Sequence, residues 1–158
     1  MEAIIRVNTF DEGTEISSIM GIEMYLQMRL GDANFPRQQL QVQTTFGKFP
    51  EASKTKQLQA GEWYHVALTW DLATKTIAYY VNGQLQSIST NHGKSDLTSI
   101  SLGDKVPDDE FGNGGDHNFY FGRSYTESHD LSRQFNGEIC EARIWSCLLY
   151  TSDAADDS

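Results

Sequence analysis

Hydrophobic and polar residues alternate one by one through the middle of the chain. In residues 63–70 and 76–81, the side chains of one face are all apolar or aromatic. A period of two places successive side chains on opposite faces of a β-strand. Asn82-Gly83 follows, and this dipeptide accepts the positive φ angles of a tight hairpin turn. The pattern therefore predicts three antiparallel strands in series, the third over residues 85–89.

The first half of the chain shows the same alternation. Residues 2–10 are predicted to form a first strand, and residues 24–30 and 39–46 carry mainly apolar side chains at every second position. Three methionines at a spacing of four would also suit a helix. The alternation with a period of two extends over more positions, so it predicts a strand. The methionines are then interpreted as core residues.

The polar faces of these two strands carry planar side chains. Tyr25, Gln27 and Arg29 lie on one strand, beside Gln41 and Gln43 on the other. Sugar binding uses aromatic rings against the apolar ring face and planar polar groups against the hydroxyls. Arg123 and Tyr125 begin a later loop and are predicted to edge the same groove. The seven residues form a candidate ligand-binding set, and the alternative is an ordinary solvated strand face.

The rest of the chain adds short strands and no helix. Strands are predicted over residues 55–59, 99–102, 119–124 and 137–145, and turns or loops cover residues 31–36 and 47–53. About ten short strands with frequent turn signals are typical of a β-sandwich or barrel. In the last strand Cys140 alternates with apolar residues, and we interpret it as a small buried side chain.

Two groups of residues form ordered motifs. Residues 61–83 contain Gly-x-Trp-Tyr-His-Val and Tyr-Val-Asn-Gly, and residues 119–145 contain Phe-Tyr-Phe-Gly and Asn-Gly-x-Ile-x-Glu-x-Arg-Ile-Trp. In this order they resemble a laminin-G-like domain of the concanavalin A-like lectin/glucanase superfamily. The resemblance implies an all-β, jelly-roll-like antiparallel β-sandwich. Because Trp63, Trp70 and Trp145 fall in these motifs, we interpret them as core or hairpin packing residues.

The resemblance implies three classes of function. The first is a non-catalytic carbohydrate-binding accessory domain of a larger secreted or surface bacterial protein, and the second is a structural or protein-adhesion module. The third is a fragment of a glycan-cleaving enzyme, which in this superfamily carries carboxylates at alternate strand positions, about 5 to 5.5 Å apart in retaining enzymes. That pattern is absent, and Glu138 and Glu141 are three residues apart and predicted on opposite faces. We therefore expect no catalysis.

The chain is acidic, with a net charge of −10 from 22 acidic and 12 basic residues. This argues against nucleic acid as a partner, because phosphate contacts need a basic patch. A neutral or cationic partner, or a divalent metal, fits better. The loop at residues 103–118 offers oxygen ligands for Ca²⁺ from Asp104, Asp108, Asp109 and Asp116. A solvated acidic loop without metal is the alternative.

Both ends of the chain look cut. A predicted strand begins directly after Met1, and residues 147–158 resemble a translated sequencing adapter. We therefore expect one domain over residues 1–146, truncated at both ends, followed by a non-native tail. The sequence has no apolar run of about 20 residues and no secretory leader pattern. The resemblance nevertheless implies an extracellular or cell-surface protein with further domains.

Overall fold

The computed structural model describes residues 1–10, 16–23, 26–32, 35–44, 47–49, 56–71, 76–90, 119–125 and 131–145. These residues form twelve strands and no helix, so none of them belongs to a helix that could cross a membrane. The strands are β1 (Glu2–Val7), β2 (Ser17–Ile22), β3 (Leu26–Asp32), β4 (Phe35–Thr44), β5 (Gly47–Phe49), β6 (Trp63–Asp71), β7 (Thr76–Val81), β8 (Gln84–Thr90), β9 (Tyr120–Phe121), β10 (Ser124–Tyr125), β11 (Leu131–Ser132) and β12 (Gly137–Arg143).

The strands form two five-stranded antiparallel sheets and one small pair. Sheet A has the order β12-β1-β6-β7-β8, and sheet B has the order β5-β4-β3-β2-β9. Strands β10 and β11 pair with each other. The hairpin between β7 and β8 turns at Asn82 and Gly83, whose φ angles are 51° and 72°. The predicted antiparallel β-sandwich is confirmed.

The apolar faces of the two sheets pack against each other and form the core. Burial of each such aliphatic side chain contributes about 1.5–3 kcal/mol relative to exposure. Alternate residues of β1, β6 and β7 face it from sheet A, and alternate residues of β3 and β4 face it from sheet B. The largest fully buried apolar side chains are Ile5, Ile19, Met20, Leu26, Met28, Leu30, Leu40, Leu58, Leu68, Ile77 and Tyr79. The interpretation of Met20 and Met28 as core residues is confirmed.

Several predicted element boundaries were wrong. The predicted strands did not include β2, and β5 lies in a segment predicted as a turn. Residues 31–36 were predicted as a loop, but β3 continues to Asp32 and β4 begins at Phe35. Instead of a strand at 55–59, the described residues form one isolated bridge between Gln57 and Gln39. The strand predicted at 99–102 lies outside the described residues.

Cys140 is exposed, which corrects the prediction that it is buried. Ile4 pairs with Cys140, whereas Glu2 pairs with Arg143, so β12 contains one extra residue at this point. Glu141 there has a positive φ of 48°. Such a bulge changes which side chains face inward. Ile139 and Ala142 consequently pack against the core, and Cys140 faces away from it.

Trp63 and Trp145 are also more exposed than predicted, at 46% and 49%. In β6 the neighbouring Tyr64 points into the core, so Trp63 points to the opposite side of sheet A. Trp145 follows the end of β12. Neither is therefore a core residue, so of the two predicted roles, core or hairpin packing, the first is wrong for Trp63 and Trp145. The side chain of Trp70 lies outside what the structure describes.

Candidate functional site on the polar face of sheet B

Sheet B has a second face, directed away from the core, that is lined by polar side chains. Ser18 of β2 pairs with Arg29 of β3, which pairs with Gln41 of β4. One row further along, Gly21 pairs with Gln27. The structure thus brings Gln27 and Arg29 of β3 together with Gln41 of the adjacent strand β4. We call this surface the polar face.

The polar face is buried and carries charged side chains. It therefore differs from the ordinary solvated strand face that the sequence left as the alternative. Gln27, Arg29 and Gln41 are 0%, 1% and 1% exposed. The Arg29 guanidinium forms an ion pair with Asp32, and its Nε donates to Gln41 Oε1 at 2.9 Å. Its Nη1 lies 3.5 Å from Glu23 Oε1. Burial lowers the pKa of Arg29, and the two carboxylates oppose that effect.

A second arginine joins this cluster from a distant part of the chain. Arg133, which follows β11, donates from Nη1 to Glu23 Oε1 at 2.5 Å. Its backbone carbonyl accepts a hydrogen bond from the Ser18 amide at 2.9 Å, and the hydroxyls of Ser18 and Ser124 lie 2.7 Å apart. The connection between β11 and β12 is therefore anchored to the edge of β2. Two arginines and two carboxylates balance each other in charge.

Several buried polar atoms of this face have no hydrogen-bond partner within the described part of the chain. They are both amide atoms of Gln27, Nε2 of Gln41 and Oε2 of Glu23. An unsatisfied buried polar group costs about 1–3 kcal/mol. Such groups are uncommon in native structures, and each requires an explanation. The face therefore offers hydrogen-bond donors and acceptors that internal contacts do not use.

Tyr120 extends this face to the edge of sheet B. It pairs with Gly21, so Tyr120, Gly21 and Gln27 form one row across three strands. Gly21 has a φ of 133°, and a Cβ atom there would lie 2.2 Å from the carbonyl oxygen of Leu26. Only glycine fits at this position. The Tyr120 ring and the Gln27 amide therefore flank residue 21, which has no side chain. The exposed Arg123 guanidinium lies 5.5 Å from the centre of the Tyr120 ring.

The remaining predicted site residues are only partly described. Gln43 pairs with Gln27 and Tyr125 belongs to β10, but their side chains lie outside the description. Tyr25 and the predicted calcium ligands Asp104, Asp108, Asp109 and Asp116 lie outside the described residues. Among the described residues, no group of three or more His, Cys, Asp or Glu side chains could hold a metal ion. Calcium binding stays a prediction.

Sequence reasoning missed four residues of this face, namely Glu23, Asp32, Tyr120 and Arg133. Asp32 is three residues from Arg29, a spacing that places side chains on opposite faces of a regular strand. The pairing of β3 with β4 is irregular between Leu30 and Asp32, and Asp32 reaches Arg29 there. Glu23 and Arg133 are 110 residues apart. Glu23 is separated from Gln27 and Arg29 by an even number of positions, so the period of two already placed it on the same face; this was the available signal for Glu23.

Comparison with known proteins agrees with this architecture. The family model of the concanavalin A-like lectin/glucanase superfamily matches residues 2–155. The chain belongs to this superfamily. A crystal structure of a proposed carbohydrate-binding protein from Bacteroides ovatus ATCC 8483 is similar to this superfamily member, with 31% sequence identity and a TM-score of 0.64. The similarity covers 92% of this chain and 36% of that protein, so the chain spans about a third of its length.

No curated protein matches this superfamily member. The family match runs to residue 155 and therefore includes most of the tail at 147–158. The interpretation of that tail as a translated adapter stays a prediction.

Proposed function

We propose that this superfamily member is a non-catalytic carbohydrate-binding accessory domain of a larger secreted or surface bacterial protein. One observation carries the proposal, namely the set of buried planar side chains with unused donors and acceptors on the polar face. The superfamily includes lectins, and the similar Bacteroides ovatus protein is a proposed carbohydrate binder. Both findings support the proposal.

A sugar hydroxyl both donates and accepts hydrogen bonds, and the polar face offers acceptors and donors for both. Gln27 supplies a donor and an acceptor, Gln41 Nε2 donates, and Glu23 Oε2 accepts. Arg29 is held by Gln41 and Asp32, so it loses little further freedom when a ligand binds. Since Gln27 and Gln41 are buried, the ligand has to displace the groups that cover them. The half-buried Tyr120 ring at the sheet edge supplies a stacking surface beside them.

We propose that the domain does not cleave its ligand. A glycosidase needs one carboxylic acid that holds a proton at the working pH. Glu23 and Asp32 are the described carboxylates of the polar face, and both are paired with arginines. These ion pairs occupy carboxylate oxygens of both side chains, which supports a structural role for Glu23 and Asp32.

The decisive variant is Gln27→Met, which removes both unpartnered amide atoms and keeps nearly the same volume. We expect it to raise the free energy of unfolding by about 1 kcal/mol, because an unsatisfied buried group is lost. We also expect glycan binding to fall about tenfold or more. A glycan-array screen of the full chain, followed by titration calorimetry on any hit and chemical denaturation, measures both. Gln84→Met on the exposed strand β8 is the matched control.

The calcium prediction is tested in the same screen, repeated with a chelator. Loss of a glycan hit under the chelator, with recovery on adding Ca²⁺, would support a role for the acidic loop. Unchanged binding would remove calcium from the proposal.

The second candidate is a structural or protein-adhesion module. It is favoured by the almost complete burial of Gln27, Arg29 and Gln41 and by the internal balance of charge around them. Under this alternative the cluster only fixes the fold. A folded protein with a blank glycan array, together with a more stable Gln27→Met variant, would favour this alternative over carbohydrate binding.

A further inference from the structure

The outward surface of sheet A carries two half-exposed tryptophans. In β1, Ala3, Ile5 and Val7 fill the core, so Glu2, Ile4 and Arg6 point outward. Trp63 and His65 lie beside them on β6, and Cys140 and Glu138 lie beside them on β12. Trp145 reaches this surface from beyond the end of β12. We call this surface the outer face; it lies on the other side of the sandwich from the polar face.

The indole of Trp63 is held by a neighbouring arginine. Glu138, Arg6 and Trp63 form one row across β12, β1 and β6. The Arg6 guanidinium lies 5.3 Å from the centre of the Trp63 ring and forms an ion pair with Glu138. A cation over an aromatic ring stabilises this arrangement. Trp63 is thus oriented while 46% of it stays exposed.

The indole of Trp145 is held at the other end of β1. Its Nε1 donates to Glu2 Oε1 at 3.1 Å, and Glu2 Oε2 lies 3.0 Å from His65 Nε2. Arg143 Nη1 lies 3.6 Å from Glu2 Oε1. The hydrogen bond from Trp145 is the main cause of a lowered pKa of Glu2, with further contributions from His65 and Arg143. Glu2 is therefore ionised at neutral pH and keeps the indole in place.

We propose that the outer face is a second glycan-contact surface, which binds an extended neutral polysaccharide through Trp63 and Trp145. Both rings are held in position before binding, which reduces the entropy that a ligand has to overcome. Polar groups of Glu2, His65 and Arg6 lie between them and can contact sugar hydroxyls. The surface is independent of the polar face, so it can exist whether or not the polar face binds sugar.

The arrangement favours a long ligand over a single sugar. The contacts that hold the two indoles are centred on Glu2 and Arg6, which are four residues apart on β1. At about 3.4 Å per residue in an antiparallel strand, these positions are separated by roughly 14 Å. A ligand that contacts both tryptophans has to cover that distance, and an extended chain of several sugars does so.

The charges of the outer face favour a neutral ligand. Arg6 is paired with Glu138, and Arg143 contacts Glu141 and Glu2. These ion pairs set three glutamates against two arginines, so this charge balance does not favour an anionic polymer. The two tryptophans are also separated by polar groups, whereas the centre of a protein interface is usually a contiguous apolar patch depleted in charge.

The test is affinity electrophoresis of the full chain through native gels that contain hydroxyethylcellulose, xylan or mannan, with polygalacturonate as an acidic comparison. We expect at least one neutral polymer to retard the protein and polygalacturonate not to. Trp63→Ala and Trp145→Ala should each weaken retardation about tenfold or more, as expected for aromatic anchors. Trp63→Phe should keep most of it. The matched control is Ile88→Ala, an exposed apolar residue (57%) on the other edge of the same sheet.

Each result has a defined meaning. No retardation by any neutral polymer, or an equal loss with Ile88→Ala, would overturn this inference. Dimerisation that depends on Trp63 in sedimentation would also overturn it, because the face would then bind a second copy. Retardation that needs the tryptophans but not Gln27 supports the outer face and counts against the polar face. Glycan-array hits that need Gln27, together with blank gels, leave the proposed function standing and reject the outer face.

Discussion

The polar face of sheet B and the outer face of sheet A are built by the same alternation of residues, but they differ in cover and in charge. On the polar face, Arg29 is buried between two carboxylates and beside unpartnered amides. On the outer face, Arg6 is partly exposed and supports a tryptophan. Alternation determines which side chains share a face; it does not determine whether that face is covered. The same residue type therefore stabilises the fold in one place and presents a binding surface in the other.

The largest expected difference between the two faces is in the cost of removing an arginine. Arg29→Met leaves Glu23 without one partner and Asp32 without its ion pair, and both carboxylates are buried. We expect the free energy of unfolding to fall by about 3–5 kcal/mol, as for other broken buried pairs. Chemical denaturation monitored by tryptophan fluorescence measures this.

The control is Arg143→Met on the outer face, where the arginine is about half exposed. Exposed ion pairs contribute about 0–1 kcal/mol, so a small change is expected. Equal losses in the two variants would remove the distinction between a buried and an exposed charge cluster.

A second difference between the two sheets is the space around a glycine that has a positive φ angle. Gly21→Ala places a Cβ atom against the backbone of Leu26 and keeps an unfavourable φ of 133°. We expect a loss of about 2 kcal/mol or more in the free energy of unfolding. The result would show that the row from Tyr120 to Gln27 has no room for a side chain at this position.

Gly83→Ala in the hairpin of sheet A is the comparison for this variant. Its φ is 72°, and no heavy atom lies within 4 Å of the added Cβ. Only the left-handed conformation then opposes the substitution, at about 1–2 kcal/mol. If Gly83→Ala were the more damaging of the two, close backbone approach at Gly21 would not be important.

The sequence predicted the fold better than it predicted the faces. Alternation located β1, β3, β4, β6 and β7, because their apolar side chains recur at every second position and face the core. Asn82-Gly83 indicated β8, and alternation together with a family motif indicated β12. Two irregularities escaped it. The extra residue near Glu141 turned Cys140 outward, and the irregular pairing near Asp32 brought that carboxylate to Arg29. A period of two cannot anticipate a bulge, since the bulge itself breaks the period.

The candidate site was predicted in part. Gln27, Arg29 and Gln41 do share one face, as their spacing indicated. Other contacts at that face join distant segments of the chain, such as Arg133 with Glu23 and Ser124 with Ser18. No local pattern contains this information. The exposure of Trp63 was missed for a different reason, because membership of a family motif was taken to mean packing in the core or on the hairpin.

The smallest effect expected is on the titration of Glu2, and it sharpens the account of the outer face. Trp145→Phe keeps an aromatic ring and removes the Nε1 donor that lowers the pKa of Glu2. We expect this pKa to rise towards the ordinary value of a glutamate in an NMR titration of the side-chain carboxyl.

The lowered pKa of Glu2 also has a consequence for stability. A lowered folded pKa contributes stability above the unfolded pKa of about 4.3, and this contribution is lost as the pH falls through the folded pKa. The variant should thus be slightly less stable than the wild type at neutral pH, and the difference should disappear in acid. If the pKa of Glu2 does not change, this hydrogen bond does not hold Trp145 in place. Only the polysaccharide gels would then test the role of Trp145 in the outer face.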